Sequence, residues 1–541
     1  MKSISIKKLF QLHSWVGVVT GILLFIVAFT GAFAVFSKPY LSIWASASEN
    51  HVSSTVSAKK IEHLINHYAK KVPSDFRENI HVYMPKGYGY TRLVLLYESH
   101  DGDENYDHET AYVFELNSQN YALENEFYGP AGEYYQNRQS DMGNFIAHFH
   151  ADLHLGRPIG LILTGFLGLT LMVSVITGLF IHREMIKQLF TFRRKKSTDI
   201  VASDGHKLFG VWGCVFHFVI GFTGAFLGLA TVILLPAAAY VSFNGDQDKL
   251  IETFTAMPEP IISEQYQPTE IAKIISQTHV LDSKAELLDL TIMALNDENS
   301  VVYARMLGGE NFAPRILEFA GDGSLNKSMS SFGNIPGPAI KVVEWIFPLH
   351  FGNFGGIFVK TVWAVLGLTT ALIPLSGVMM WIAKRSRGQN PEISKIGYQR
   401  WNRFIIGTCG GIVLACFILF PVQITLNMFF TRDLHNNLIS LVFFGCWLAW
   451  MAMCILPIDY KRLLNLNIIL VALSLLLVVP LKLLFQSSYL SQLTNSNYLI
   501  VTSVDLVCLL LAIATLFAYR KLNSTKEDKV NNPATLAEQK V

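Results

Sequence analysis

A histidine-headed apolar tract occurs twice in this chain, and the two copies keep one register. Leu12-His13-Ser14-Trp15-Val16-Gly17 closes in Phe29-Thr30-Gly31-Ala32-Phe33, and Gly205-His206-Lys207-Leu208-Phe209-Gly210 closes in Phe222-Thr223-Gly224-Ala225-Phe226. In both, the histidine leads a glycine by 4 residues and the threonine by 17. A second piece recurs further on. His150 and Gly156 match His350 and Gly356 at an offset of 200, while Leu167-Gly168-Leu169-Thr170 and Gly178 match Leu366-Gly367-Leu368-Thr369 and Gly377 at 199. The fold therefore has to accommodate two copies of one helical unit in the same orientation, as parallel repeats related by an axis along the membrane normal.

The solvent for such a chain must include lipid, because hydrophobic residues make up 51% and charged residues 16% of 541 positions. A net charge of +2 gives no reason to expect a nucleic-acid partner. Eight segments approach the ~20 apolar residues that a bilayer requires: 13–36, 157–182, 207–235, 357–383, 404–429, 436–457, 463–485 and 498–519. Basic clusters fall at alternate loops: Lys7-Lys8, Arg183 with Arg193-Arg194-Lys195-Lys196, Lys384-Arg385-Ser386-Arg387 with Arg400 and Arg403, Lys461-Arg462, and Arg520-Lys521. The positive-inside rule then makes both termini cytoplasmic. Lys2, Lys7 and Lys8 before an apolar run and Ala45-Ser46-Ala47 after it imitate a signal peptide. That run is too long for an h-region and has a twin, so it is read as a retained helix. The six cysteines lie in apolar stretches without CxxC spacing, which gives neither a disulfide framework nor a thiolate metal site.

The expected fold is a mainly α, polytopic membrane protein with about eight transmembrane helices, built on a duplicated helix–module–helix unit. Residues 1–36 form the first helix, 37–148 an outer α+β module, and 149–235 helices two and three with a basic loop. A second module at 236–345 and a fourth helix at 346–385 follow, then a four-helix bundle at 386–521 and a cytoplasmic tail at 522–541. Each module reads as a helix followed by alternating strands, at 81–84, 92–97 and 111–114 and again at 288–292, 300–305 and 315–319. Pro421 and Pro480 are expected to kink two helices of the bundle, and Trp44, Trp345 and Trp401 to anchor at the interface.

Histidines at membrane edges carry the chemical signal. His13, His182 and His206 stand at the cytoplasmic ends of spans one to three, and His148, His150, His154 and His350 at the outer ends of spans two and four. His217 lies 11 residues beyond His206, about 16 Å deeper at ~1.5 Å per residue. Ionisable groups at such depths need partners and mark cofactors or pathways. A haem between two imidazoles from different helices satisfies that need, and nearby glycines (Gly17, Gly21, Gly210, Gly213, Gly221, Gly224) let a flat macrocycle approach the backbone. Two histidine layers, one per leaflet, would carry electrons across. The competing readings are an interfacial imidazole for His13 and His206 and a core hydrogen bond for His217. His182 is replaced by Trp381 in the second unit, and His154 lies four residues from His150 on one expected helix face. His51, His63, His67, His81, His100, His108, His279 and His435 read as ordinary solvated or domain-surface residues.

Four pieces of the chain, His13-x-x-x-Gly17 with Thr30-Gly31, Ala147-His148-Phe149-His150-Ala151-Asp152-Leu153-His154 with Leu155-Gly156-Arg157, His206-x-x-x-Gly210 with Thr223-Gly224, and Leu349-His350-Phe351-Gly352 with Leu375-Ser376-Gly377-Val378-Met379-Met380-Trp381, together resemble the PepSY-associated transmembrane helix family. The resemblance covers about 1–385 and implies that the modules are PepSY domains on the periplasmic side of a bacterial inner membrane. It also implies iron-regulated relatives, some of them siderophore-iron reductases that bind haem b, with His13, His150, His206 and His350 as the first positions to test as haem ligands. His154, His182 and His217 remain cofactor candidates outside the repeat.

The resulting expectation is a two-haem oxidoreductase that takes electrons from a cytoplasmic or quinol donor and reduces the ferric iron of a siderophore or other chelate at the outer face. No GxGxxG follows a strand, and the cytoplasmic loops are too short for a flavin or nicotinamide domain. The alternatives are a PepSY-type periplasmic binding or regulatory protein without redox activity, and a transporter of iron chelates. A haem protein would be coloured, whereas a transporter would accumulate substrate without a redox donor.

Overall fold

The computed structural model describes residues 3–46, 57–85, 89–99, 109–182, 190, 192–193, 198–247, 249–250, 257, 260–309, 312–331, 339–386, 391–486, 489–495 and 498–530. The expectations for Lys2, Ala47, His51, His100, His108, Arg183, Arg194-Lys195-Lys196, Arg387 and the tail residues 531–541 lie outside them.

Among the described residues, seven helices are long and apolar enough to cross a bilayer, or eight if one bent pair is a single span. Span one is Ile6–Ala34, span two Ile159–Ile181, span four Gly356–Arg385, span five Lys395–Phe429, span six Arg432–Ile455, span seven Tyr460–Phe485 and span eight Leu499–Asn523. Span three, expected as one apolar segment over 207–235, is bent. It consists of Ile200–Trp212 and Cys214–Leu229, inclined at 69°. Gly213 permits the break, because a Cβ there would sit 2.2 Å from Nε2 of His217, whose ring folds back over the bend. Pro421 lies inside the Gly411–Phe429 helix of span five. Span seven is interrupted at Leu477, just before Pro480, where a missing backbone N–H costs least.

Spans one to four close into a ring in which each packs on two others, one from its own repeat and one from the other. Small residues make the cross-repeat contacts close. A Cβ on Gly168 of span two would fall 2.7 Å from the backbone of Gly221 and Ala225 in span three. Its repeat equivalent Gly367 faces Ala32 of span one, the equivalent of Ala225, at 3.3 Å. The match between these contacts is a direct expression of the pseudo-twofold relation. Spans five to eight form the appended bundle, whose core is continuous with Phe25, Phe29 and Trp44 of the first unit.

The two expected modules are joined. Strands β1 (Asn79–Tyr83), β2 (Leu93–Ser99), β3 (Thr110–Leu116) and β4 (Leu123–Pro130) come from the first loop; β5 (Ala285–Met293), β6 (Val301–Gly308), β7 (Arg315–Ala320) and β8 (Leu325–Ser330) come from the second. They make one antiparallel sheet in the order β4-β3-β2-β1-β5-β6-β7-β8. The pairing of β1 with β5, His81 opposite Thr291 and Tyr83 opposite Asp289, puts the local twofold between the repeats. Helices Ala58–Ala69 and Ile271–Leu281 cover one face over a shared core that includes Ile65, Leu95, Phe114, Ile275, Leu290 and Phe319. The carboxylate of Glu62 on the first accepts from the N–H of Ala272 at the start of the second.

Two single-residue expectations are corrected. Trp44 is 3% exposed, and its indole N–H donates to Asp505 at 2.8 Å, so it fastens the bundle to the first unit where an interfacial anchor was expected. His435 is buried in the first turn of span six, where a loop position was expected, because span six begins at Arg432.

Candidate functional site

Four of the seven singled-out histidines come together as two pairs. The ring centroids of His13 and His206, from spans one and three, are 6.2 Å apart with planes at 88°. Those of His150 and His350 are 6.1 Å apart with planes at 29°. His150 stands on the Met142–Asp152 helix and His350 on the Ala339–Phe351 helix, each just before the second span of its repeat. The pairs lie toward opposite ends of span one. His13 and Gly31, against which His150 packs, are 18 residues apart on one helix, roughly 27 Å at ~1.5 Å per residue, close to the ~30 Å hydrocarbon thickness.

Each imidazole is held by its Nδ1. His13 lies 3.1 Å from both the Ser174 carbonyl and the Thr177 hydroxyl oxygen, and that hydroxyl donates its own hydrogen to Val173. His206 repeats the arrangement in the second unit, at 3.0 Å from the Ile373 carbonyl and 2.9 Å from the Ser376 hydroxyl oxygen. The Nδ1–H of His150 donates to the Val27 carbonyl at 2.8 Å, and Nδ1 of His350 lies 2.9 Å from the Thr223 hydroxyl oxygen, which donates to Val219. The carbonyl acceptors fix Nδ1 as the protonated nitrogen of His13, His150 and His206, which leaves the lone pair on Nε2, and His350 takes the same tautomer when the Thr223 hydroxyl gives its hydrogen to Val219.

A glycine backs every one of these rings. Cβ atoms built on Gly178, Gly377, Gly31 and Gly224 would approach Cε1 of His13, His206, His150 and His350 at 3.4, 3.4, 2.7 and 3.3 Å. Each glycine follows a hydroxyl residue, Thr177, Ser376, Thr30 and Thr223. Sequence reasoning missed Ser174, Thr177, Ser376 and Val27 as supports, although the fourfold hydroxyl-glycine dipeptide was a readable signal. One helical turn beyond His13 and His206, Gly17 and Gly210 border open space, with no atom within 4 Å of a built Cβ. Among the described residues no three His, Cys, Asp or Glu side chains gather as a metal-holding group. Each of the two places therefore presents two imidazoles and no further described side chain of those types.

The remaining three candidates are placed differently. His154 does not share a helix face with His150: the helix stops at Asp152, and both Leu153 and His154 adopt left-handed backbone, with φ of 56° and 52°. Its ring packs on Phe145 at 4.5 Å and its Nε2 meets the Phe145 carbonyl. His217 is 2% exposed, with Nδ1 2.8 Å from the Thr370 hydroxyl and Nε2 3.2 Å from the Phe209 carbonyl, so protein groups engage both nitrogens. His182 is the C-cap of span two, its backbone N–H bonded to Gly178.

Residues 10–384 match the family described as the PepSY-associated TM region, which takes in both histidine pairs and the whole sheet. The chain is also 23% identical over 292 residues to an uncharacterized protein of Pseudomonas aeruginosa, an alignment that covers 51% of this chain and 71% of the relative.

Proposed function

Because the chain belongs to the PepSY-associated TM region family, and because its paired imidazoles fall at two depths, we propose that it is a haem-b membrane oxidoreductase. In this reading it lies in a bacterial inner membrane with both termini cytoplasmic and the PepSY-like sheet in the periplasm. It passes electrons from a cytoplasmic protein or a quinol to the ferric iron of a siderophore or other chelate.

The observation that carries the reading is the distance within each pair. Imidazole–metal bonds are about 2.0–2.1 Å, so two rings sharing one ion through Nε2 have centroids roughly 6 Å apart, as His13 with His206 and His150 with His350 have. The open space at Gly17 and Gly210 is where a flat macrocycle would meet the backbone of the first pair. His13 and His206 would hold one haem, His150 and His350 the other. Bound there, a haem supplies a one-electron ferric/ferrous couple. The protein's part is to fix each imidazole by its Nδ1 acceptor, which raises ligand basicity and keeps the ring from rotating. The low dielectric of the helix ring further tunes the couple. One electron per ferric ion is transferred, and release follows because hard oxygen donors hold ferrous iron far less tightly than ferric iron.

The test is anaerobic mixing of dithionite-reduced, desalted protein with ferric citrate in the presence of a ferrous-specific chromophoric chelator. The expected result is loss of the reduced α band with one ferrous ion trapped per electron stored. A reduced band that persists while no ferrous iron appears would remove the ferric-chelate reading. Histidine variants that still react at the wild-type rate would remove the assigned ligands.

A further inference from the structure

A polar cavity of about 220 Å³ opens between the sheet and the first unit's helices, and its lining brings together three tyrosine rings and two cations that stand outside any ion pair among the described residues. Lys38 reaches it from just beyond span one, Arg138 from the end of the Ala131–Arg138 helix, and Tyr83, Tyr90 and Tyr135 from the sheet and that helix. Among the described residues, Lys38 makes no hydrogen bond or ion pair, and Arg138 has no carboxylate within ion-pair distance. The Arg138 guanidinium lies over the Tyr90 ring, 4.4 Å from its centroid.

The other charges at the cavity are spoken for. Asp141 caps the Met142–Asp152 helix: its oxygens accept from the Asn144 backbone N–H at 2.9 Å, the Asn144 side chain at 2.6 Å and the Ser42 hydroxyl at 3.1 Å. Arg305 pairs with Asp289 at 3.4 Å. Burial holds the Lys38 ammonium below the usual lysine range, against the opposing charge of Asp141 and with a smaller contribution from Arg138. A bound anion would relieve that cost. The aromatic wall is ordered: Tyr83 stacks on Tyr90 with centroids 4.8 Å apart and planes at 10°, and its hydroxyl lies 3.0 Å from that of Tyr135.

We propose that this cavity receives an aromatic oxyanion arm of a ferric chelate, of the catecholate class, with Lys38 and Arg138 holding the charge and the tyrosines the ring. The ferric part of this assignment rests on the redox reading above. The position suits it, since Asn144 at the cavity and His150 are six residues apart on one helix, roughly 9 Å at ~1.5 Å per residue. The volume admits one aromatic arm and leaves the metal at the rim.

The test uses the gallium(III) complex of 2,3-dihydroxybenzoate, which cannot be reduced under these conditions, titrated calorimetrically into the full chain in detergent. Binding is expected, and Lys38→Met and Arg138→Met should each weaken it by roughly tenfold or more, the scale of one charge-assisted contact; the Lys38→Met midpoint should stay at the wild-type value, and Arg138→Met, which also removes a charge acting on Glu115, is compared per folded chain. Tyr90→Leu should weaken it while sparing any binding of inorganic phosphate. Absence of binding, or affinity unchanged in both cation variants, overturns the site; equal competition by inorganic phosphate overturns its aromatic assignment. Binding should survive His150→Ala. Protein that contains no haem yet binds the gallium complex through Lys38 and Arg138 would refute the redox reading and leave the site standing.

Discussion

His13 and His206, equivalent residues of two repeats 193 positions apart, face each other with ring centroids 6.2 Å apart. Each is fixed to the second span of its own repeat through Nδ1, by Ser174 and Thr177 in one case and Ile373 and Ser376 in the other. The pair therefore reports on all four spans of the ring, and on whether the repeats are related as the sequence requires.

Gly17→Leu and Gly210→Leu probe the space beside that pair without touching a histidine. Nothing lies within 4 Å of a Cβ at either position, and replacing a helical glycine favours the helix by up to ~1 kcal/mol. Either variant should fold as well as wild type yet lose about half of the bound haem. Haem content at the wild-type level in both, measured as pyridine haemochrome, would place the macrocycle elsewhere.

His217 is expected to matter for the fold and not for haem. His217→Ala removes its bonds with Thr370 and Phe209 at the bend of span three and should cost about 1–3 kcal/mol. Haem content per folded chain should remain unchanged. Gly213→Ala should be at least as damaging, because its Cβ meets the His217 ring. Thermal unfolding in detergent with parallel haem quantification separates the two effects, and haem loss with an unaltered midpoint would contradict the assignment.

Deep in the appended bundle, Lys482 (1% exposed) and Asp505 (2%) form an ion pair at 2.8 Å, and Trp44 and Tyr489 both donate to Asp505. Removing one partner strands the other charge in a dry site. Asp505→Asn or Lys482→Met alone should destabilise by about 3–5 kcal/mol, and the combined Lys482→Met/Asp505→Asn variant, which keeps an amide oxygen as acceptor at position 505, by less than the sum of the two. Chemical-denaturant midpoints would show this non-additivity; additive losses would mean that the pair is not coupled.

Sheet stability should fall in acid for a nameable reason. Burial raises the Glu115 carboxyl, but Arg138, Arg92 and the Tyr134 hydrogen bond outweigh it, so its pKa lies below the usual 4.5. An acid depressed by folding contributes stability fully above its unfolded value and loses it as pH falls through the folded value. Wild type should therefore lose stability below pH ~4.5 more steeply than Glu115→Gln. Parallel thermal midpoints at pH 7 and pH 3.5 check this; identical pH slopes would remove Glu115 as the cause.

The membrane ring was legible because its signals are local and repeated. Apolar runs mark the spans, and the shared register of His13 with His206 and of His150 with His350 marks the pairs. Strands β4 and β8 were not, because they are exposed sheet edges, without the apolar alternation that betrays a half-buried strand. The β1–β5 pairing that fuses the modules joins residues some 200 positions apart and leaves no local trace. His154 was misplaced on a helix face because a leucine at φ 56° is an uncommon way to stop a helix. The Lys38–Arg138 cavity was invisible for a similar reason: its walls come from segments whose proximity only the tertiary fold creates.

Quantitative haem content with reduced-minus-oxidised absorbance, on protein purified from haem-replete cells, tests the central claim most directly. Two b-type haems per chain are predicted, with one lost in His13→Ala or His206→Ala, the other in His150→Ala or His350→Ala, and neither in His154→Ala or His217→Ala. Colourless protein, or haem retained when all four paired histidines are replaced, would contradict it.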